Sequence, residues 1–382
     1  MFSCVRRAGS VLLALVALVG AVRVEAAALT PDTAAKVDRL VRDRLAGTGA
    51  PPGFAISILA EDGQVVSNAY GVADLEQGAP VGPNSVFPIA SITKTFTALA
   101  ILQLEQEGRL STTDPLSRFL PDFPGSSGIT LRDLLVHTSG IAEFTELSPF
   151  AQDQARDWTP DELIALIAKA PPLHPPGEVC LYSDSGYILL GHIVEIASGQ
   201  SFGDYVRAKI AQPLAMSSVA IGSHRDLIPH RVQGYVRTGT AWFNAPYISL
   251  QAPWAAGGLL AKADDLVRLG PAIGADGPLL QAKSYAEMIA PVMLSNGSPC
   301  RLNLPSAEAT FGYGLEIVRF DDLPNHRAIG KSGVFPGYSS YFATFEGSGL
   351  TVAAFANADG SLPFTVETVH DIAKLILSEP AP

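Results

Sequence analysis

One stretch decides how this chain folds: SITKTFTALAILQLEQE, which spans residues 91–107. Its apolar side chains lie on most sides around residues 98–102, and Gly108 follows directly. This pattern predicts a mostly buried helix over 92–107 that ends at a glycine C-cap. Because positions i and i+3 share one face of a helix, Ser91 and Lys94 bring a hydroxyl and an amine into contact where the helix begins.

This pair has the chemistry of an activated nucleophile. The Ser91 hydroxyl is a weak nucleophile until a base takes its proton, and Lys94 serves as that base only where burial or nearby positive charge favours its uncharged form. The start of the helix also offers free backbone N–H groups that stabilise an oxyanion. Taken alone, however, the spacing is more typical of a capping serine followed by an exposed lysine.

Strand patterns lie at the two ends of the chain and helical patterns between them. Residues 54–59 and 65–70 flank the turn Glu61-Asp62-Gly63 and predict a β-hairpin. Further strands are predicted at 313–320, 341–345 and 350–355, and helices at 31–45, 131–136, 160–168, 186–197, 202–210 and 364–377. The order predicts an α/β (α+β) fold, with an antiparallel sheet built from both termini, flanking helices, and a mainly helical region at roughly 71–265 inserted between them.

The first residues have the layout of a secretory signal peptide. Arg6 and Arg7 precede an apolar stretch at 11–22, and small residues follow at 26–28. The apolar stretch is shorter than the roughly 20 residues that a membrane span needs. We therefore expect a signal peptide at 1–26, a mature domain at 27–382 without a permanent membrane span, and a secreted or periplasmic protein.

Charge and cysteine content narrow the function classes. Cleavage after residue 26 removes a net charge of +2 and takes the chain from −11 to −13, with no basic run, which argues against nucleic-acid binding. Cys180 and Cys300 then remain, either as a disulfide or as two buried thiols. The cysteines and seven histidines show no metal-ligand spacing, so neither a metal nor a cofactor is expected. The sequence leaves the oligomeric state open.

Two later clusters carry further polar chemistry. Tyr182-Ser183-Asp184 is predicted to lie in a loop just before the helix that begins at Gly186, where a phenolic oxygen can project into a cleft and shuttle a proton. Lys331-Ser332-Gly333 follows the apolar residues 328–329, so a strand edge can place an ammonium and a hydroxyl beside a substrate carboxylate. The glycine would let a ligand approach the backbone.

With these clusters in this order, the chain resembles the serine β-lactamase and penicillin-binding protein superfamily. The resemblance is strongest to the class C branch, which includes D-alanyl-D-alanine carboxypeptidases, D-aminopeptidases and β-lactamase-like esterases. It extends over LLVHTSG (134–140), YSDSGY (182–187), PLAM (213–216), GGL (257–259), YGL (313–315) and PGYSS (336–340). The resemblance implies a β-lactamase-like fold, with Ser91 as nucleophile, Lys94 as base, Tyr182 as proton shuttle and Lys331 as the carboxylate or electrostatic partner. It also implies an oxyanion hole formed by the N–H groups of Ser91 and Val334.

Asp184 departs from the family pattern, which usually has asparagine at this position. An asparagine amide donates and accepts hydrogen bonds, whereas an ionised aspartate only accepts them. Asp184 is therefore expected to favour a charged Lys94 or Lys331 and to weaken recognition of the amide side chain of a β-lactam. Lys331 favours recognition of a β-lactam, because it keeps the basic residue of the β-lactam-binding members. The expected substrate is a small molecule or peptide, either an ester, a D-amino-acid peptide or a β-lactam, and its choice depends on the loops at 144–158 and 223–244.

Two rival functions remain at this stage. Gly199-Gln200-Ser201-Phe202-Gly203 matches the nucleophile motif of α/β-hydrolases, but that motif requires a preceding strand. Here a helix precedes it, so Ser201 is better interpreted as a helix N-cap. The other rival is a non-catalytic protein on the same fold that binds peptides or peptidoglycan. His137 is interpreted as a structural hydrogen-bonding residue.

Overall fold

The computed structural model describes residues 29–304 and 307–378. The predicted signal peptide at 1–26 lies outside the described residues. The strands are β1 Gly53–Leu59, β2 Val65–Asp74, β3 Ala79–Pro80, β4 Phe87–Pro88, β5 Ala220–Ile221, β6 Tyr235–Thr238, β7 Ala241–Asn244, β8 Leu259–Ala261, β9 Leu302–Leu304, β10 Ala307–Gly312, β11 Leu315–Phe320, β12 Ala328–Phe335, β13 Tyr338–Phe345 and β14 Thr351–Ala356.

Strands from both ends of the chain form one antiparallel sheet. Its order is β3-β2-β1-β14-β13-β12-β11-β10-β9, so the first strands meet the last where β1 pairs with β14. In that pair Ile56 lies opposite Ala354. The smaller β4-β8-β5 and β6-β7 sheets are also antiparallel. The predicted fold class, with a sheet built from both termini, is confirmed.

Helices cover this sheet and fill the region between its two halves. They are α1 Pro31–Leu45, α2 Thr93–Gln106, α3 Leu131–Leu135, α4 Ser148–Gln152, α5 Pro160–Ile167, α6 Asp184–Ser198, α7 Phe202–Val206, α8 Trp254–Gly257, α9 Ala263–Leu266, α10 Leu269–Ala272, α11 Ala282–Met288 and α12 Leu362–Leu377. A π-helical turn, Arg207–Ala211, continues α7. No helix in the described ranges combines the length and apolar character needed to cross a membrane.

The central strands are buried on both faces, because side chains alternate between two cores. On one face Phe54 and Ile56 of β1 pack with Val37 of α1 and Val369 of α12. On the other face Ala55 joins the larger core of the helical region. Burial of each large aliphatic side chain contributes about 1.5–3 kcal/mol to folding stability, so the packing of α1 and α12 stabilises this face of the sheet.

Helix α2 runs through the larger core and positions the start of the site. Eleven of its side chains are buried, including Lys94, as expected for a helix that is apolar on most sides. The sheet approaches it closely at Gly314, where a Cβ would lie 2.4 Å from the Lys94 carbonyl oxygen. Gly314 also has a φ of +65°, and its carbonyl accepts a hydrogen bond from Thr95. Glycine is therefore required where α2 meets the β10–β11 turn.

Two predicted boundaries that bear on the site were wrong. The strand predicted at 313–320 begins at Leu315, because Tyr313 and Gly314 form the turn after β10, a strand that the sequence did not predict. The helix predicted to begin at Gly186 begins at Asp184, because Ser183 is its N-cap and accepts from the Gly186 N–H. Asp184 therefore lies in the first turn of α6 and not in the preceding loop.

Candidate active site

Ser91 lies on a strained turn between β4 and α2. The turn is a 3-10 helix, Ala90–Ile92, and Ala90 has a φ of +49°, which is rare for a residue with a side chain. Strain of this kind is found where the surrounding structure enforces a functional geometry. Ser91 thus lies two residues before the start of α2, and its partly exposed side chain faces the cavity described below.

Gly333 of β12 lets the sheet contact this turn. A Cβ on Gly333 would lie 2.3 Å from the Ile89 carbonyl oxygen, and that same oxygen accepts a hydrogen bond of 3.0 Å from Ser340. The sequence interpretation assigned the glycine to ligand approach. The structure gives a different reason: the turn that carries Ser91 occupies that space.

Lys94 is fully buried and its Nζ has three acceptors. They are Ser91 Oγ at 3.2 Å, Asp184 Oδ1 at 2.5 Å and the Ala256 carbonyl oxygen at 2.8 Å. An ammonium group has three N–H donors and no acceptor, so these contacts match its charged form. Lys94 can therefore accept the Ser91 proton only after it has passed one of its own to Asp184.

Tyr182 lies beside Ser91, and its ring lies near two lysines. Ser91 is one of the side chains close enough to lower the pKa of Tyr182. Lys94 Nζ lies 4.8 Å and Lys331 Nζ 5.1 Å from the ring centroid. About a third of the residue is exposed. Burial raises the pKa of Tyr182, and the positive charge of Lys331 only partly opposes it, so the side chain rests as a neutral phenol that can donate a proton.

His137 supports the Tyr182 segment from behind. Its ring stacks on the Tyr182 ring with centroids 4.5 Å apart, and its Nδ1 accepts a 3.1 Å hydrogen bond from the Ser183 N–H. Burial, followed by the charges of Lys94 and Lys331, holds the pKa of His137 well below its usual range. The imidazole is therefore neutral, which agrees with the structural role that the sequence predicted.

A disulfide anchors the same segment. Cys180 and Cys300 are bonded, with Cα atoms 5.8 Å apart. Of the two alternatives that the sequence left open, the structure has the disulfide. Because Cys180 is two residues before Tyr182, the bond ties the loop that carries the phenol to the segment preceding the outer strands of the sheet.

Glu143 is a functional residue that the sequence interpretation missed. Its Oε2 accepts hydrogen bonds from the backbone N–H groups of Asp184 (2.6 Å) and Ser185 (3.3 Å) at the start of α6. Burial, followed by the charge of Asp184, raises the pKa of Glu143 from 4.5 to about 7. The contact joins residues that are 41 positions apart in the chain. The sequence therefore indicated Glu143 only through its position just after the 134–140 segment.

Glu316 is the second missed residue, and it binds two of the predicted substrate-binding residues. Its Oε1 lies 2.5 Å from Lys331 Nζ and accepts a 2.8 Å hydrogen bond from Ser332 Oγ. Its Oε2 accepts from the Ser332 N–H at 3.2 Å. The side chains of Lys331 and Glu316 are 3% and 12% exposed. In the sequence, Glu316 could have been noticed as a carboxylate within the apolar strand 315–320, since a buried charged group requires a partner.

The register of β12 directs the Val334 N–H away from β13, and Val334 lines the same cavity as Ser91. In the β12–β13 pair Ser332 and Val334 share the same parity, and the Ser332 N–H already points away from β13, to Glu316. The Val334 N–H points the same way, past Gly330, where the pairing with β11 ends. This direction suits the oxyanion hole expected from Ser91 and Val334.

A cavity of about 210 Å³ opens beside these groups, and its walls are mainly apolar. It is lined by Ala90, Ser91, Phe144, Thr145, Phe150, Gln154, Asp184, Ile248, Pro253, Ala256, Gly257, Val334, Phe335 and Pro336. The loop at 144–158 contributes to this lining as expected, whereas the loop at 223–244 does not. The cavity therefore suits an apolar acyl or leaving group.

Ser201 belongs to a different part of the molecule. It caps α7, accepting from the Asp204 N–H at 3.1 Å and donating to the Asp204 carboxylate at 2.7 Å. The preceding element is helix α6, which ends at Ser198 and is capped by Gly199 in a left-handed conformation. The capping interpretation is confirmed, because the strand that an α/β-hydrolase nucleophile requires is replaced by a helix.

Comparison with known proteins places this arrangement among its relatives. The sequence model of the family described as Beta-lactamase matches residues 37–375. PbpX of Bacillus subtilis (strain 168), provisionally named a penicillin-binding protein, is 31% identical over 298 residues, which cover 78% of this chain and 68% of PbpX. Among solved structures, a D-amino acid amidase from Ochrobactrum anthropi SV3 is 26% identical with a TM-score of 0.75, covering 89% of this chain and 100% of that one. A D-stereospecific amidohydrolase from Streptomyces sp. is 25% identical with a TM-score of 0.73, covering 88% and 98%.

Proposed function

The chain belongs to the beta-lactamase family as a serine hydrolase of the β-lactamase and penicillin-binding protein type, and from that premise we propose that it forms an acyl-enzyme through Ser91. The observation that carries the proposal is the 3.2 Å contact between Lys94 Nζ and Ser91 Oγ, with Tyr182 beside the same serine. A serine that has both a lysine and a phenol next to it has a base and an acid for one reaction.

Acylation requires two linked proton movements. Lys94 passes one proton to Asp184 Oδ1, 2.5 Å away, and then takes the Ser91 proton as Oγ attacks the acyl carbonyl. The negative oxygen of the tetrahedral intermediate is stabilised by the N–H groups of Ser91 and Val334. Tyr182 donates its proton to the leaving group as the acyl bond breaks, and Lys94 returns one to Tyr182.

Deacylation follows the same route in reverse. A water molecule attacks the ester on Ser91 and gives its proton to Lys94, which is uncharged while Asp184 holds its proton. The transfer is direct, or it passes through the Tyr182 hydroxyl, which takes the water proton as it gives its own to Lys94; a proton then returns to Ser91 Oγ as the acid leaves. The cycle consumes one water per acyl bond broken and needs no other reactant. General acid–base catalysis of this kind typically contributes a factor of about 10² to 10⁴.

A rate panel tests this proposal against a binding protein on the same fold. The panel contains a short p-nitrophenyl ester, a D-amino-acid amide, a D-alanyl-D-alanine peptide and a chromogenic cephalosporin. We expect turnover of at least one substrate that Ser91→Ala abolishes and that Ser201→Ala, the matched control on an exposed helix cap, retains. No turnover of any member, or turnover that survives Ser91→Ala, contradicts the proposal.

We also propose that the mature protein is exported. The leader pattern at 1–26 supports this, and so does the Cys180–Cys300 disulfide, since disulfides persist mainly in oxidising compartments. Expression of the full chain in a bacterial host, with fractionation and intact mass, tests it. The expected result is a protein outside the cytoplasm that has lost about 26 residues, and an unprocessed cytoplasmic chain contradicts it.

A further inference from the structure

Both lysines of the site are neutralised by carboxylates of the chain itself. Lys94 is paired with Asp184, and Lys331 with Glu316, each at 2.5 Å. Glu143, whose pKa is raised to about 7 by burial and by Asp184, adds a further partial negative charge at neutral pH. The net charge of these five groups therefore lies between zero and −1.

Glu316 satisfies the groups that would otherwise bind a substrate carboxylate. It takes the Lys331 ammonium, the Ser332 hydroxyl and the Ser332 N–H together. A carboxylate from a substrate would have to displace it and leave a nearly buried carboxylate without its partner, which is costly. Among the described residues that line the cavity, none is lysine or arginine.

We propose that Glu316 is a specificity-determining residue, which excludes substrates with a carboxylate next to the scissile bond and leaves neutral or amine-bearing esters and amides as substrates. This inference rests on the proposed acyl-enzyme function and names its substrate class. It acts by repulsion and by prior occupation of the binding groups, so it sets a preference between substrates.

Two depsipeptides that differ only in charge test the inference. Both carry the same phenylacetylglycyl acyl group on D-lactate, and in one of them the lactate carboxylate is converted to an amide. The wild-type protein is expected to show a kcat/KM at least tenfold higher for the amide form. Glu316→Gln is expected to shift this ratio at least tenfold toward the carboxylate form, because Lys331 then lacks its counter-charge. Glu308→Gln, an exposed glutamate on β10, should leave the ratio at its wild-type value.

A wild-type ratio near one, or a ratio that Glu316→Gln leaves unchanged in a folded protein, overturns the inference. If Glu316→Gln does not fold, inhibition of the wild type decides: phenylboronic acid should bind at least tenfold more tightly than 3-carboxyphenylboronic acid, and equal inhibition overturns the inference. Failure of the proposed function itself looks different, because turnover of both depsipeptides would then be absent or would survive Ser91→Ala.

Discussion

Replacing Glu143 by glutamine is expected to remove a large part of the pH dependence of folding stability. The Glu143 carboxyl accepts hydrogen bonds from the start of α6 and from Thr145. Burial, followed by the charge of Asp184, raises its pKa from 4.5 to about 7 in the folded protein. Between these values the native state keeps a proton that the unfolded chain has lost, so the free energy of unfolding falls as pH rises.

The size of the effect follows from those two values. The difference between 4.5 and about 7, at about 1.36 kcal/mol per pKa unit, amounts to about 3 kcal/mol once the pH exceeds the native pKa. Most of it, on the order of 2–3 kcal/mol, is lost between pH 5 and pH 8, because only a small part is lost below pH 5. A glutamine does not titrate, so the stability of Glu143→Gln relative to wild type should rise by that amount.

Urea unfolding followed by circular dichroism at pH 5 and pH 8 measures this change. The matched control is Glu146→Gln, an exposed glutamate three residues away, for which the difference from wild type should stay within about 0.5 kcal/mol at both pH values. If the difference between wild type and Glu143→Gln is equally constant, the reasoning about the buried carboxyl is refuted.

Three further predictions concern catalysis and the support of the site. Lys94→Ala should lower the acylation rate by about 10² to 10⁴ with the fold intact by circular dichroism, and an unchanged rate would remove Lys94 from the mechanism. The double variant Cys180→Ser, Cys300→Ser lacks the disulfide, and its free energy of unfolding should be about 2–5 kcal/mol lower than that of the wild type. Its kcat should also fall, because the Tyr182 loop loses its anchor. Urea unfolding and steady-state kinetics measure the two effects, and an unchanged kcat would contradict the anchoring role. Gly333→Ala should lower kcat at least tenfold, because the new Cβ would lie 2.3 Å from the Ile89 carbonyl oxygen. Gly82→Ala, where the space around the glycine is open, should leave kcat unchanged. Equal rates for the two variants would contradict the packing argument.

The parts of the fold that depend on local pattern could be predicted from the sequence. The hairpin at 54–70 and the last strands are short, apolar and bounded by turn residues, and α2 shows its burial on most sides. The predicted start of α6 was wrong because Asp184 belongs both to the polar segment of Tyr182 and to the first turn of the helix. The sequence interpretation assigned it to the loop. Strands β9 and β10 were missed, because they lie at one edge of the sheet, where β9 pairs with β10 and β10 with β11, and their sequences show little apolar periodicity.

The catalytic groups of the candidate site and Asp184 were predictable from the sequence, whereas the carboxyl groups of Glu143 and Glu316 were not. Ser91 and Lys94 are one helical turn apart, so their contact follows from spacing alone, and Tyr182 and Lys331 stand in recognisable segments. Glu143 and Glu316 act through tertiary contacts with Asp184 and Lys331 that no local spacing records. These two carboxyls contribute to the charge of the site. The substrate preference could therefore not be predicted from the sequence before the fold was known.

Covalent labelling of the nucleophilic serine tests the central claim most directly. The wild type, Ser91→Ala and Ser201→Ala are incubated with a fluorophosphonate, and intact mass and peptide mapping then locate the adduct. We expect one adduct per chain on Ser91 in the wild type and in Ser201→Ala, and none in Ser91→Ala. An adduct on Ser201, or one that persists in Ser91→Ala, would contradict the assignment of Ser91 as the nucleophile.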